Sequence, residues 1–167
     1  LDKIHFKNKD LILDCGANHG DLKLWFDFKK IEINYIGFEP DPEEFNNLEK
    51  NVFPSKVFNI GLWYKDSENI FYLSRFNADS SFIEPSTFEK KIIVPSKRLE
   101  NFIHQPVKLL KLEAEGAEPE ILHGIGDKII SIEYVTADVG FERGLKQEST
   151  LAPVTNYLLD KNFEIIG

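Results

Sequence analysis

The sequence predicts the α/β class, with a doubly wound, mostly parallel sheet, helices on both faces and a small β insertion. Short apolar runs alternate along the chain with stretches whose apolar residues recur at helical spacing, which is the pattern of βαβ units. Polar clusters follow several of these runs, where open parallel sheets bind their ligands. The length of 167 residues and the hydrophobic content of 42% fit one core. We therefore expect a single domain over residues 1–167, and because the chain opens on Leu1, its N-terminus is expected to be trimmed.

Each element follows from a local pattern. An apolar run ended by glycine precedes helical spacing, and a second run stops at Pro40. Asp41 and Pro42 then suit the N-cap and first position of a helix. The predicted order is strand 11–15, helix 21–30, strand 34–39, a helix from 42, strand 56–63, extended segments 70–74 and 92–95 around a polar stretch at 77–81, strand 107–112, a helix from 117 or 118 to 124, strand 129–136, a polar acceptor loop at 138–149, helix 150–161 and strand 163–166.

The composition excludes several classes of partner. A net charge of −8 repels phosphate backbones, so nucleic acid is not expected as a substrate. The single cysteine, Cys15, can form neither an internal disulfide nor a cysteine-based zinc site, which fits a reducing, cytoplasmic setting. No apolar stretch is long enough for a membrane span. The oligomeric state is not indicated.

A glycine-rich turn follows the first strand in the pattern D-x-G-A-N-x-G. Gly16 and Gly20 allow a ligand to approach the backbone, with Ala17 and Asn18 between them, and Asp14 can accept a hydrogen bond from a ligand ammonium or an ordered water. The turn departs from the dinucleotide pattern G-x-G-x-x-G. It therefore favours a nucleoside that bears an amino acid, while a tight turn that needs glycine for geometry alone is the alternative.

Two acidic positions follow later strands. Glu39, before Pro40, lies where a carboxylate accepts both ribose hydroxyls, although NAD-binding domains place an acid there too. Clustered carboxylates favour one another's protonated form, which can tune one as a general base. In the run from Glu113 to Glu120, Glu113 and Glu115 are the candidate bases, whereas Glu118 and Glu120 suit a helix N-terminus and stability alone.

Taken together, the motifs resemble one family. The turn D-C-G-A-N-H-G at 14–20, G-F-E-P-D-P at 37–42, the serine pair at 80–81 and L-K-L-E-A-E-G-A-E at 110–118 resemble the FkbM family of S-adenosylmethionine-dependent methyltransferases over residues 10–166. The resemblance implies a Rossmann-like methyltransferase sheet and S-adenosylmethionine as cofactor. The sequence departs at Glu113, where the family usually has Asp.

The resemblance also implies site residues. Asp14, Gly16, Ala17, Asn18, Gly20, Glu39, Pro40 and Glu113 would bind the cofactor, and the adenine would lie near Gly61 and Leu62, with Leu62 packing on the base. Glu133 matches an acid near the end of the fifth strand, so the catalytic candidates are Glu113, Glu115 and Glu133, with His19 as a further possible base. Acids at three strand ends leave Mg²⁺ as an alternative, but the predicted site contains no metal.

The expected reaction is O-methylation of a hydroxyl on a sugar or another small metabolite, with no nucleic-acid partner. A positioned base that removes the hydroxyl proton contributes about 10² to 10⁴ in rate. Two rivals remain. An NAD-type oxidoreductase shares Glu39 and the sheet but lacks G-x-G-x-x-G here, and a non-catalytic nucleoside-binding module shares every binding feature.

Overall fold

The central feature of the fold is a five-stranded sheet in which every neighbouring pair is parallel. A computed structural model describes residues 1, 3–74 and 80–166. The sheet has the order β3-β2-β1-β7-β8. The direction of the chain order reverses between β1 and β7, and such a switch point is where open α/β sheets bind ligands. The strands are β1 (Leu11–Cys15), β2 (Asn34–Phe38), β3 (Lys56–Phe58), β7 (Val107–Leu112) and β8 (Ile132–Ala137).

Helices cover both faces of this sheet, as the sequence predicts. On one face, Ile12 and Leu109 of the sheet pack with Phe26 and Leu48 of two helices. On the other face, Leu13 and Leu110 pack with residues of the other two helices. Each strand of the sheet centre therefore buries both of its sides, which explains the nearly continuous apolar runs of β1 and β7. The helices are α1 (Asp21–Phe28), α2 (Pro42–Asn51), α3 (Glu118–His123) and α4 (Leu151–Asp160).

The start of α2 confirms the capping pattern in the sequence. The Asp41 carboxylate accepts a hydrogen bond from the Glu43 amide at 2.9 Å, and Pro42 occupies the first helical position. Proline suits that position because its missing N–H would have no partner within the helix. The cap fixes where β2 ends and α2 begins, and Glu39 lies at that junction.

A small second sheet confirms the predicted β insertion. It has the order β4-β6-β5, with β4 (Gly61–Leu62), β5 (Ser67–Leu73) and β6 (Lys90–Lys97). The pair β5–β6 is antiparallel and runs from Ser67 opposite Ser96 to Leu73 opposite Lys90. Both segments are longer than the predicted 70–74 and 92–95. The predicted polar stretch 77–81 lies outside the described residues except for Ser80 and Ser81.

The prediction of one strand over residues 56–63 is wrong. Two short strands form instead, β3 in the central sheet and β4 in the insertion. Asn59 lies between them, and its side-chain amide donates to the carbonyls of Glu39 at 2.8 Å and Pro40 at 3.2 Å. This amide ties the chain to the end of β2, so the segment leaves the central sheet at that point.

Two predictions near the C-terminus are also wrong. Residues 126–131 form a 3-10 helix, so β8 begins three residues later than the predicted strand 129–136. Residues 163–166 form no strand. The Phe163 amide donates to the Leu158 carbonyl and closes α4, after which Ile165 is 74% exposed. The apolar residues of that segment reflect the packing of Phe163 on the core rather than a strand pattern. No helix in the described ranges is long and apolar enough to cross a membrane.

Replacing Gly61 with alanine should destabilise the insertion. A Cβ at Gly61 would lie 2.0 Å from the Phe82 ring, which packs edge-on against Phe71 at a centroid distance of 4.9 Å. Overpacking of this kind costs about 1–3 kcal/mol, and urea unfolding would measure it. Gly140→Ala is the control, because its Cβ would meet only the carboxylate end of Glu142. Equal effects of the two substitutions would contradict the packing described here.

Candidate functional site

A cleft of about 820 Å³ opens at the carboxyl ends of β1, β2 and β7, beside the switch point of the sheet. The insertion forms the opposite wall, so the cleft lies between the two sheets. The lining residues are Cys15, Gly16, Asn18, Phe38, Glu39, Pro40, Asp41, Glu44, Ile60, Leu62, Phe71, Ser74, Ser80, Phe82, Glu113, Ala114, Glu115 and Ile121.

The glycine-rich turn lies tightly between β2 and β7. Gly16 has a φ of 75°, and a Cβ there would lie 1.7 Å from the Glu113 carbonyl oxygen, so only glycine fits this position. The amides of Gly16 and Ala17 donate to the Phe38 carbonyl at 3.1 and 3.0 Å, and the Glu113 amide donates to the Cys15 carbonyl. The turn therefore joins the ends of all three strands.

Asp14 lies behind the cleft wall. It is 1% exposed, and its two carboxylate oxygens accept from the Tyr35 hydroxyl at 2.6 Å and from Lys111 Nζ at 3.0 Å. Burial raises the pKa of Asp14, although Lys111 and Tyr35 act against that shift. The structure therefore places Asp14 behind the residues that line the cleft, and a contact between Asp14 and a ligand ammonium stays a prediction.

Two further residues of the turn support its shape without lining the cleft. The Ala17 side chain is buried in the core that α1 and α2 share. Gly20 has a φ of 90° at the N-cap of α1, and a Cβ there would lie 2.4 Å from a methyl group of Val52. The sequence pattern predicted direct cofactor contact for both residues, and the structure places them in the scaffold of the turn.

Asn18 and Glu39 meet at the cleft. Glu39 is 7% exposed, and its oxygens accept from the Asn18 amide at 2.8 Å and the Asp41 amide at 2.9 Å. Burial raises the pKa of Glu39 to about 7, although both backbone amides favour the ionised form. The Asn18 side-chain oxygen is buried and has no hydrogen-bond partner among the described residues. Both side chains can therefore still accept hydrogen bonds from a ligand.

The apolar wall of the cleft comes from the end of β2 and from the insertion. Pro40 and Leu62 line it at the predicted positions. Gly61 does not line the cleft, but its missing Cβ leaves room for the Phe82 ring, which does. Sequence reasoning missed Phe71 and Phe82, because only the pairing of β5 with β6 brings the insertion to the cleft.

Two acidic residues of the turn after β7 line the cleft. Glu113 is half exposed, and its Oε2 lies 2.9 Å from Lys111 Nζ. Glu115 has a φ of 50°, and its carbonyl accepts from the Ser81 hydroxyl at 2.7 Å. Both predicted bases therefore line the site, and Ser81 ties the insertion to the turn that carries them.

Glu118 and Glu120 stabilise this turn, in keeping with the role predicted for them. The buried Glu118 Oε1 accepts from the amides of Ala114 at 2.8 Å and Gly116 at 3.3 Å. Glu120 forms a bidentate pair with Arg143, at 2.6 and 2.8 Å, and Arg143 also donates to the Gly116 carbonyl. Arg143 belongs to the predicted acceptor loop 138–149, so two ion-paired side chains hold that loop against the acidic turn.

Two candidate bases lie away from the cleft. Glu133 is the second residue of β8 and so does not lie near the end of that strand. It pairs with Lys108 at 2.6 Å at the amino ends of the strands, opposite the cleft. Its predicted place in the site is wrong because β8 starts later than the apolar pattern indicated. His19 is half exposed and does not line the cleft, although its Nε2 contacts the carboxylate of Glu44, which does. Within the described residues, no group of three or more His, Cys, Asp or Glu side chains is arranged to hold a metal ion.

The fold and the site define a class. A crystal structure of Methyltransferase FkbM from Methylobacillus flagellatus KT has the same fold, with a TM-score of 0.64 at 17% identity, over 94% of this chain and 38% of that one. The protein is thus an α/β protein with a methyltransferase fold. The chain belongs to the methyltransferase FkbM domain family, whose model matches residues 14–165.

A fungal relative has a related sequence. "Methyltransferase 1" of Beauveria bassiana (strain ARSEF 2860) is 26% identical, and the match covers 76% of this chain and 63% of that protein. The chain therefore spans less than two thirds of the relatives it matches. Family membership agrees with the motifs at 14–20, 37–42 and 110–118.

The buried carboxyl of Glu39 should make stability depend on pH. The ordinary pKa of a glutamate carboxyl is 4.5. Between that pH and about pH 7, the folded chain keeps a proton on Glu39 that the unfolded chain releases. The contribution of this group to the unfolding free energy therefore falls as the pH rises, by at most about 3 kcal/mol. Urea unfolding of the wild type and Glu39→Gln from pH 5 to pH 8 would measure it, with the exposed Glu43→Gln as control. As the pH rises across this range, the unfolding free energy of Glu39→Gln should increase relative to that of the wild type. Parallel pH dependences of the two proteins would contradict the raised pKa of Glu39.

Proposed function

We propose that this chain binds S-adenosylmethionine in the cleft and transfers its methyl group to a hydroxyl oxygen of a sugar or another small metabolite. The observation that carries the proposal is the polar lining at the switch point. Asn18 and Glu39 line the cleft, the buried Asn18 side-chain oxygen has no hydrogen-bond partner among the described residues, and Glu113 adds a half-exposed carboxylate. S-adenosylmethionine offers the matching groups: two ribose hydroxyls, an ammonium and a cationic sulfonium.

The residues present fit this cofactor. Glu39 would accept from the ribose hydroxyls, since its two backbone hydrogen bonds leave lone pairs on both oxygens. Pro40 and Leu62 supply the apolar surface on which an adenine would pack. The unpartnered Asn18 oxygen would accept from a donor on the ligand, which removes the cost of a buried acceptor without a hydrogen bond.

The chemistry needs alignment and a base. When bound, the cofactor supplies a methyl group whose bond to sulfur breaks as its bond to the acceptor oxygen forms. Glu113 or Glu115 would take the proton that the hydroxyl loses, because both residues line the cleft. The cleft itself would align the reactants, and alignment supplies as much as about 7–11 kcal/mol of such a barrier.

Two other functions use the same cleft. An NAD-type oxidoreductase would also use Glu39, and a binding module would need no base. The Gly16 turn is closed by the Glu113 carbonyl and by its hydrogen bonds to Phe38, and it lacks the spacing of a pyrophosphate cradle. Calorimetry with S-adenosylmethionine, S-adenosylhomocysteine and NAD distinguishes the ligands. Preference for NAD would overturn the proposal.

Removing the Glu39 carboxylate should weaken cofactor binding. At pH 8, above the raised pKa of Glu39, the carboxyl group is ionised. Hydrogen bonds to a charged group contribute about 1.5–3 kcal/mol, so at that pH Glu39→Ala should raise the dissociation constant of S-adenosylhomocysteine by about tenfold or more. Calorimetry of the folded variant measures this change. Glu43→Ala, an exposed acid in the first turn of α2, is the matched control. Unchanged affinity in Glu39→Ala would remove Glu39 from the ribose site.

Neutralising the base should lower turnover more than binding. Glu113→Gln and Glu115→Gln keep the size of each side chain, and loss of a general base lowers kcat by about 10²- to 10⁴-fold. Release of S-adenosylhomocysteine over a panel of sugars and hydroxylated metabolites measures kcat and KM, and the larger loss of kcat identifies the base. Full activity of both variants would exclude both residues. Tight cofactor binding by the wild type without turnover on any acceptor would favour the binding module.

A further inference from the structure

Lys111 joins the two halves of the cleft without lining it. In the sheet register, Lys111 of β7 lies opposite Asp14 of β1. Its side chain is 15% exposed, and its Nζ lies 3.0 Å from Asp14 Oδ1, 3.1 Å from the Gly16 carbonyl oxygen and 2.9 Å from Glu113 Oε2. One ammonium therefore contacts the buried carboxylate, the glycine-rich turn and the acidic turn.

The three contacts match the donors of the side chain. A lysine ammonium has three N–H groups, so these contacts leave none for a ligand. Burial alone lowers the pKa of Lys111, but Asp14 and Glu113 outweigh it, and the pKa is raised. The side chain is therefore charged at neutral pH and acts on the cleft only through the groups that it holds.

Its role is more than to compensate the Asp14 charge. Asp14 already accepts from the Tyr35 hydroxyl at 2.6 Å, and only one of the three contacts of Lys111 involves Asp14. The other two contacts are with groups at the cleft, the Gly16 carbonyl on the donor side and the Glu113 carboxylate on the acceptor side. A lysine that served the core alone would need neither contact.

We propose that Lys111 is a positioning residue for the methyl transfer, holding the glycine-rich turn and the Glu113 carboxylate in a fixed relation. The inference rests on the proposed function, since that function makes the turn the donor side and Glu113 the acceptor side. Lys111 acts through Gly16 and Glu113 and does not itself touch the reactants.

Lys108 provides a matched control within the same strand. The Lys108 side chain is 14% exposed and pairs with one carboxylate, Glu133, at 2.6 Å. It lies near the amino end of β7, far from the cleft at the carboxyl ends of the strands. Lys111→Met should raise the dissociation constant of S-adenosylhomocysteine by about tenfold or more in calorimetry. Lys108→Met should change it by less than about twofold. It should also lose less thermal stability than Lys111→Met, because its partner Glu133 is 56% exposed.

A second variant guards against misfolding. Lys111→Met leaves the buried Asp14 charge uncompensated, which is strongly destabilising, whereas removing both charges restores an uncharged interior. The double variant Asp14→Asn with Lys111→Met should therefore fold and still bind S-adenosylhomocysteine about tenfold or more weakly. Wild-type affinity in this folded double variant would overturn the inference.

A double-mutant cycle with Glu113→Gln tests the route through Glu113. If Lys111 positions that carboxylate, the loss of kcat from Glu113→Gln should be smaller once Lys111 is methionine. Losses that simply add in the double variant would contradict coupling between Lys111 and Glu113. Failure of the wild type itself to bind S-adenosylhomocysteine would overturn the proposed function, whereas wild-type binding with equal affinity in the Lys111 and Lys108 variants would overturn this inference alone.

Discussion

The close approach of β1 and β7 at their carboxyl ends is the constraint on which the cleft depends. Gly16 leaves no room for a Cβ beside the Glu113 carbonyl, so the glycine-rich turn and the acidic turn touch through their backbones. A buried ion pair between Lys111 of β7 and Asp14 of β1 joins the same two strands just before these turns. Because β1 and β7 flank the point where the sheet order reverses, this junction borders the cleft.

Burial gives the junction its particular electrostatics. Charges removed from water lose hydration, and the loss is tolerable only where partners replace the water. Asp14 has Tyr35 and Lys111, and Glu39 has the amides of Asn18 and Asp41. The carboxylates of Asp14 and Glu39 nevertheless differ in their surroundings. Asp14 is enclosed by side chains that fix the strands, whereas Glu39 has backbone partners and faces the cleft. Asp14, which the sequence pattern assigned to a ligand contact, thus belongs to the scaffold of the strands, and Glu39 faces the cleft.

Local patterns in the sequence determined the parts of the fold that depend on near neighbours. The buried run of β1, the glycine turn after it and the Asp41–Pro42 cap of α2 could all be predicted, because each depends on interactions within a few residues. The break at Asn59 could not, since its amide bonds to a strand end about 20 residues away. The family resemblance placed Glu133 near the end of the fifth strand, whereas it is the second residue of β8, because residues 126–131 of the apolar run form a 3-10 helix and not the start of the strand. Nor does the pattern of β7 separate Lys111 from Lys108, which differ only in the partners that the sheet brings to them.

The contacts that shape the cleft also bear on how the chain folds. Lys111 and Asp14 are 97 residues apart, Ser81 and Glu115 are 34 apart, and Asn18 and Glu39 are 21 apart. Contacts of long sequence separation form slowly, because the chain entropy lost in closing each loop must be spent before the contact stabilises anything. A nascent chain that has emerged only as far as the insertion has the glycine-rich turn and Glu39 but neither Lys111 nor the acidic turn. The cleft is therefore complete only after β7 has been synthesised and has docked beside β1.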